Sequence, residues 1–534
     1  MKPLLQKPLF LAILSGLLLA ASWPTYGFPL LIFFAFIPLL LVEKKLREKS
    51  PKVKLNVLLL AYCTFVIWNA ATTWWLYYAS GFGMFFAVLV NALLMSILFL
   101  LYHIVAKRTS EKVSLLFFLF LWISFEKFHL IWDFSWPWLN LGHVFADVPQ
   151  WIQWYEFTGA FGGSLWVLAV NIIGFYLISK HTMASKLERI KVITPCLALL
   201  IAIPIITSLW IFKNYEIKGK TKEVIVLQPN VDPYTEKYDT PNFIITKGLL
   251  EQADSLVTAN TEFIIAPETV LAESVPFDQF YNSPSRYLMM NYIQMHPKVQ
   301  LLWGIDTYNF ILDQKDISVS SNIYKEGIWV NFYNAALFIT NQPDFQKYYK
   351  SKLVVGIENL PYKSVLEPLL GNVMLDLGGT ISTKTTQEHR SVFVANDGTK
   401  VAPIICYESV YGEYVTEYVN ERAQFLAIIT NDAWWDKSQG HKQHLTFATM
   451  RAIETRRDIA RSANTGISAF VNQKGEIVSQ TNYGEKKALR SQVHLNNKIT
   501  FYVQNGDYIA YISVLFLVIL SIYLLLKKWI HGAY

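Results

Sequence analysis

"VAPIICYESVYGEY" (401–414) opens as an apolar run and breaks after Ile405 into a polar cluster holding a thiol, Cys406, and a carboxylate, Glu408. A short apolar run bounded by polar residues reads as a buried strand. Four more stretches share this form: "EVIVLQPNV" (223–231), "TEFIIAPET" (261–269), "QLLWGIDTYN" (300–309) and "FLAIITNDAWW" (425–435). Among them, "FIITKGLLEQADSLVTA" (243–259) and "HLTFATMRAIETRRDIARSA" (444–463) read as helices, and "GISAFVNQKGEIVSQ" (466–480) as a hairpin turning at Gln473-Lys474-Gly475. Strands alternating with helices predict an α/β domain with buried sheets. Polar groups at the strand ends of such a domain gather on one edge, where ligands bind. Glu268, Cys406 and Asn431-Asp432 all fall there.

Outside this region the composition changes character. The 534-residue chain is 53% hydrophobic and only 16% charged, against about 25% charged in soluble proteins. Apolar runs near the ~20 residues that cross a bilayer occur at 9–22, 28–42, 55–75, 83–106, 113–131, 164–179, 193–213 and 508–526, about eight spans. Basic residues flank every second connection: Lys2 and Lys7, "EKKLREKSPKVK" (43–54), "KRTSEK" (107–112), "KHTMASKLERIK" (180–191), and Lys527 with Lys528. The alternate loops "SWPTYG" (22–27) and "YYASGFG" (77–83) carry no charge, and 132–163 carries only acids. Basic loops stay in the cytoplasm, which puts both termini inside and 214–507 on the extracytoplasmic, periplasmic face. The expected organisation is a membrane bundle over 1–213, an extracytoplasmic domain over 214–507, and a last span with its cytoplasmic tail over 508–534. Lys2, Lys7, the apolar core and "AAS" (20–22) also have the form of a cleaved signal peptide. Cleavage leaves an odd number of spans, so the charge alternation favours retention. The net charge of +7 has its home in the basic loops, so no nucleic-acid partner is implied. Three cysteines make no multi-bridge disulfide framework.

A thiol attacks a carbonyl as thiolate, which calls for a neighbouring base. A carboxylate serves when burial raises its pKa towards neutrality. The oxyanion that forms needs a donor or a cation. Cys406 as nucleophile, Glu268 at the end of "FIIAPE" as base, and Lys350 in "YYKSKLVVGIENLP" as cation supply all three. On spacing alone each keeps an ordinary alternative: inert buried thiol, helix N-terminal charge, surface lysine. His441 and His444 are three apart, but no nearby carboxylate or cysteine completes a zinc set; His444 reads as a structural residue at a helix start. Arg451, Arg456 and Arg457 read as a salt-bridged helix face rather than as lipid-phosphate ligands. No metal and no cofactor is expected, and there is no nucleotide-binding fingerprint.

"TEFIIAPET", "YKSKL", "IICYES" and "TNDAWW" followed by "HKQHLTFATMRAIETRRDIARSANTGIS" resemble the nitrilase (carbon–nitrogen hydrolase) superfamily. Joined to a preceding bundle and one following span, the pattern resembles the apolipoprotein N-acyltransferase family. "WPWLNLGHVFADVPQWIQWYEFTGAFGGSLWV" (136–167) is similar to that family's membrane segment, usually FPWLxLGY. The resemblance implies a helical bundle joined to an αββα nitrilase-like sandwich in the bacterial inner membrane. It places the catalytic residues at Glu268, Lys350 and Cys406, with Glu358, Tyr407 and Glu408 in support. It also implies the partners: a phospholipid acyl donor and the N-terminal α-amine of a diacylglyceryl-cysteine lipoprotein, acylated through a Cys406 thioester by a monomer. "LVVGIE" (353–358) stands where the family usually has LVPFGE, and Tyr238 stands loosely where a family tryptophan forms a mobile lid. The residues alone also admit a membrane-anchored amidase that uses water, or a transporter or receptor with an α/β sensor domain.

The charge alternation is open to direct test. A cysteine placed at Lys474 is expected to react with an impermeant thiol reagent in cells whose outer barrier has been opened. Labelling only after cytoplasmic lysis overturns the orientation.

Overall fold

The computed structural model describes residues 7–50, 52–179, 186–233, 235–368 and 382–531. Lys2, and residues 180–185 of the basic connection at 180–191, lie outside the described residues. The chain divides into two units: Met1–Tyr77 with Met84–Asn214 and Asp507–Tyr534, and Tyr78–Gly83 with Tyr215–Gly506.

The first unit is helical. Five helices among the described residues are long and apolar enough to cross a membrane: Lys54–Tyr78, Gly81–Ala106, Tyr155–Ser179, Ile193–Asn214 and Tyr508–Lys527. The other three of the eight expected spans are shorter or interrupted. Pro8–Ala21 has 14 residues. The stretch 28–42 breaks at Phe36 into Ile32–Ala35 and Ile37–Lys49, the second carrying Pro38 in its first turn, where a ring without an N–H is tolerated. Glu111–Phe128 carries charges at both ends. Its Lys127 is buried in an ion pair with Asp507 at 2.9 Å, and Glu126 Oε1 accepts the Leu141 N–H at 2.8 Å. That bond anchors a run of 3₁₀ turns, Pro137–Leu139, Leu141–Phe145 and Pro149–Trp151, which forms the stretch too polar to be a simple span.

The second unit is built on two sheets. Its strands are β1 (Thr221–Gln228), β2 (Thr261–Ile265), β3 (Leu271–Pro276), β4 (Gln300–Ile311), β5 (Asn322–Lys325), β6 (Ile328–Ile339), β7 (Gln346–Tyr349), β8 (Phe393–Val394), β9 (Lys400–Ile405), β10 (Phe425–Thr430), β11 (Ile459–Ala463), β12 (Ala469–Val471), β13 (Ile477–Gln480) and β14 (Lys487–His494). One sheet runs β14-β1-β2-β4-β6-β5, with β3 on β4 and β7 on β6; the other runs β13-β12-β11-β10-β9-β8. Alternation along each strand gives each sheet two apolar faces. Phe263 of β2 meets Phe338 of β6 and, across the sandwich, Phe425 of β10 at 5.3 Å. Ile264, the next residue, points the other way into a core with Leu249 and Ala253 of the helix Asn242–Asp254 and with Met289 and Ile293 of Pro284–Met295.

β1, β2 and β4 pair in parallel, as do β9, β10 and β11. Their C-terminal ends therefore share an edge. The stretch 444–463, expected as one helix, is instead the helix Gln439–Thr455 followed by β11. Arg456 ends the helix in a left-handed conformation, φ 52° and ψ 45°. The next five strand residues are all buried beside β10, where sheet pairing overrides a helical pattern that a short apolar run cannot exclude. The hairpin at 466–480 forms around the bond from Gly475 N to the Asn472 carbonyl, 2.8 Å.

Gly304 in β4 holds the end of β2 close. A Cβ there meets the Pro267 carbonyl, Thr269 N at 2.5 Å and Glu268 Cα at 2.7 Å. Backbone atoms cannot yield as a side chain does, so Gly304→Ala is expected to displace the Glu268 turn and to cost roughly 1–3 kcal/mol, the range for overpacking. A lowered melting temperature of the full chain checks this; an unchanged one contradicts it.

Candidate active site

Lys350 lies just past β7 and is 1% exposed. Its Nζ pairs with Glu268 Oε1 at 2.8 Å and Glu358 Oε2 at 2.8 Å. Asn334 in β6 joins the same two carboxylates, its Nδ2 donating to Glu268 Oε1 at 2.7 Å and Glu358 Oε1 at 3.0 Å. The other Glu268 oxygen accepts the Asn431 N–H, 3.1 Å away at the end of β10. Glu268 thus ties the two sheets at their common edge. Glu358 Oε2 accepts the Val354 N–H at 2.8 Å, so "LVVGIE" folds back on its own carboxylate.

The electrostatics differ from the expectation that burial raises Glu268. Burial does push that carboxyl up, but the Lys350 ammonium outweighs it and the net shift is downward. Burial pushes Lys350 down, and the carboxylates of Glu268 and Glu358 more than reverse this, so it stays charged. The Cys406 thiol is pushed well up, by burial first and then by the Glu268 carboxylate, with Lys350 opposing. At rest the site holds a protonated thiol, an ionised carboxylate and a charged lysine.

Cys406 begins a 3₁₀ turn, Cys406–Val410, directly after β9. Its φ is 51°, a left-handed conformation uncommon in any residue but glycine. The Cys406 carbonyl accepts the Ser409 hydroxyl at 2.7 Å and lies 3.2 Å from His444 Nε2. His444 Nδ1 is 2.9 Å from Asp432 Oδ1, and Arg461 from β11 donates to Asp432 Oδ2 at 2.7 Å. His444, expected at a helix start, instead lies within the buried helix Gln439–Thr455 and reaches the backbone of Cys406.

The expectation that nothing near His444 completes a metal set is corrected here. The ligand atoms of Cys406, Asp432 and His444 lie within 4.8 Å of one another. The second Asp432 oxygen is occupied by a guanidinium, which holds the carboxyl far below its usual range against the opposing effect of burial. A divalent cation would have to displace that charge. Arg451, Arg456 and Arg457 are fully buried, so none is a surface lipid ligand. Arg451 pairs with Glu454 at 3.0 Å, while Arg456 donates to the Gln473 carbonyl and Arg457 to that of Ala423.

Glu408 sits in a cage of donors. Its Oε1 accepts from Tyr348 at 2.7 Å, Tyr414 at 2.6 Å and Ser351 N at 2.7 Å. Its Oε2 accepts from Ile405 N at 2.8 Å. Burial raises this carboxyl while those bonds oppose the rise. Glu408 holds both the strand that ends at Cys406 and the segment after Lys350. Tyr407 is buried with its ring edge-on to Tyr411. Tyr238 is 55% exposed, with the neighbouring Lys237 ammonium 5.7 Å from its ring. Asn334 and Lys237 escaped the sequence reading. Asn334 is one polar residue in "NFYNAALFI" (331–339), a signal too common to single out.

Comparison with known proteins places this geometry in a lineage. Residues 15–173 match the family model described as the apolipoprotein N-acyltransferase N-terminal domain, and 239–498 match carbon-nitrogen hydrolase. An apolipoprotein N-acyltransferase of Chlorobaculum tepidum is 28% identical over 529 residues, covering 96% of this chain and 95% of the relative. One from Geobacter metallireducens is 25% identical, covering 98% and 97%. Among solved structures, Saccharomyces cerevisiae Nit3, a member of branch 10 of the nitrilase superfamily, aligns over 52% of this chain and 92% of its own at 14% identity and a TM-score of 0.36. With both halves matched in order and relatives aligned over nearly their whole length, the chain belongs to the apolipoprotein N-acyltransferase family.

Proposed function

We propose that the chain moves a fatty acyl group from a phospholipid to the N-terminal α-amine of a diacylglyceryl-cysteine lipoprotein, through a thioester on Cys406. The observation that carries this is the buried Glu268–Lys350–Glu358 cluster at the strand-end edge where Cys406 stands in its left-handed turn. In the first half-reaction Glu268 takes the Cys406 proton as sulfur bonds to the ester carbonyl carbon. The carbonyl π pair moves onto oxygen, stabilised by Lys350. Collapse breaks the C–O bond, and the leaving oxygen takes the proton back from Glu268, releasing lysophospholipid. In the second, a neutral α-amine bonds to the thioester carbon and gives its proton to Glu268. The C–S bond breaks, and the thiolate recovers that proton. No cofactor is needed for either balance. A raised thiol beside a lowered carboxylate makes free thiolate scarce, so proton transfer accompanies attack.

Glu358 fixes Lys350, Glu408 fixes the nucleophile turn, and Tyr407 lines it. Tyr238 is the lid contact. The reading includes a membrane bundle over 1–213 completed by 508–534, with eight spans and the catalytic domain 214–507 on the periplasmic face. The basic even-numbered connections support that orientation.

Intact mass of the purified full chain with phospholipid tests the core of the reading. An added fatty acyl mass that hydroxylamine removes is expected for the native chain and absent in Cys406→Ala. Glu268→Gln and Lys350→Met are expected to cut acylation on the order of a hundred- to a thousandfold. Release of free fatty acid with no transfer to a lipopeptide amine would instead indicate a hydrolase.

The lowered Glu268 carboxyl sets the acidic limb. Its ionised form is the base, and it persists below the usual glutamate value of about 4.3. Single-turnover acylation is therefore expected to stay level from pH 7 down to about pH 5. In Lys350→Met burial loses its main opponent, with Lys237 and the Asn334 bond left to lower Glu268, so the residual activity should lose its acidic limb at higher pH than the native chain. A limb in the same place in both removes Lys350 as the controlling charge.

A further inference from the structure

Lys237 lies in the turn after β1, and the mechanism above leaves it unused. It is 4% exposed. Its Nζ donates to the Thr269 hydroxyl at 2.6 Å, and among the described residues no carboxylate lies within ion-pair distance of it. A buried ammonium without a counter-ion is costly, and a fold retains one where negative charge arrives from elsewhere.

The charges around Cys406 show where that negative charge is. Asp432 is balanced by Arg461 at 2.7 Å, and Asp306 by Lys384 at 2.7 Å. Glu408 is enclosed by its own donors. Glu268 and Glu358, however, share one ammonium, Lys350. Attack by the thiol moves the Glu268 charge onto the tetrahedral oxygen without removing it, so the site carries one surplus negative charge throughout the reaction. Among the described residues, Lys237 is a nearby cation with no ion-pair partner of its own. Its partner Thr269 directly follows Glu268 and has a φ of 43°, strained for a β-branched residue. The same bond therefore brings the Lys237 charge to the base and holds the base's turn.

We infer that Lys237 is a second cation of the acyl-transfer site, acting through its charge to stabilise the tetrahedral oxyanion and, through Thr269, to hold Glu268 in place. The inference rests on the proposed Cys406 thioester reading. The groups whose charge Lys237 feels are Glu268 after β2, Asp306 in β4, Lys384 and Cys406, with the Tyr238 ring beside it. Burial lowers the Lys237 ammonium to about 8, with Glu268 and Asp306 opposing. The cation is the active form, so its help is present below that value and is lost as pH rises through about 8.

The test is single-turnover formation of acyl-enzyme by the full chain in detergent micelles, followed by intact mass from pH 6 to 10. Phosphatidylethanolamine and the phosphate-free ester p-nitrophenyl palmitate serve as donors. The native chain is expected to acylate, with a rate that declines above pH 8. Lys237→Met should be slower on the order of a hundredfold on both donors, with no limb near pH 8. Lys237→Arg, whose guanidinium stays charged, should keep a substantial rate and lose that limb. A purely structural role would leave the limb in place in the arginine variant, which overturns the inference. A native rate in Lys237→Met overturns it too, and a defect confined to the phospholipid replaces it with headgroup binding. If the native chain forms no acyl-enzyme at all, the thioester reading itself fails.

Discussion

The ammonium of Lys350, buried between two carboxylates, is the interaction on which the catalytic unit depends. Removing an ion from water costs several kcal/mol, and good geometry with further hydrogen bonds offsets that cost. Asn334 supplies such bonds to both acids, and backbone amides at Asn431 and Val354 take their remaining oxygens. These partners come from the end of β10, from β6 and from the loop after β7. The cluster can form only when both sheets and that loop are in register. Folding and assembly of the base are therefore one event.

A consequence is the order in which protons move. On the proposed mechanism, a carboxyl that is lowered cannot strip a raised thiol at rest. Reactivity is withheld until an ester carbonyl accepts the sulfur electrons as the proton leaves. A thiol that stays protonated without substrate is protected from oxidation, since susceptibility follows thiolate character. The acids around Cys406 have different partners: Glu268 and Glu358 share a lysine, Asp432 pairs with an arginine, and Glu408 accepts from tyrosine hydroxyls and amides.

The elements legible in the sequence were those whose signal is local. β1, β2, β4, β9 and β10 stand out as apolar runs ending in polar clusters, and Cys406 and Glu268 sit at two of those ends. What was missed is non-local. The strand at 459–463 hides in a helical pattern because only pairing with β10 decides it. The sign of the Glu268 shift depends on a lysine 82 residues away along the chain, and burial without that partner points the opposite way. Asp432 near His444 was invisible because the two meet only when the helix Gln439–Thr455 packs over the end of β10. Membrane spans were legible by composition, but 28–42 and 113–131 show its limit. A proline near a helix start and a buried Lys127–Asp507 pair change what such runs become.

Strain at this edge follows a common plan. Non-glycine residues with positive φ stand just past three strands: Asn230 after β1 at 55°, Thr269 after β2 at 43°, Cys406 after β9 at 51°. Each such residue costs on the order of 1–3 kcal/mol and persists only where its surroundings over-determine it. Each here has a clamp from another element. Asn230 N donates to the Asn464 carbonyl at 3.1 Å, Thr269 accepts from Lys237, and the Cys406 carbonyl is gripped by Ser409 and His444. A relaxed strand would continue straight and carry Glu268 and Cys406 out along the sheet direction. Turning the chain sharply at the strand end instead aims both side chains into the shared edge, within the field of Lys350. The strain is thus the geometric condition for bringing Glu268 and Cys406 together from different sheets, and the clamps are what make that condition affordable.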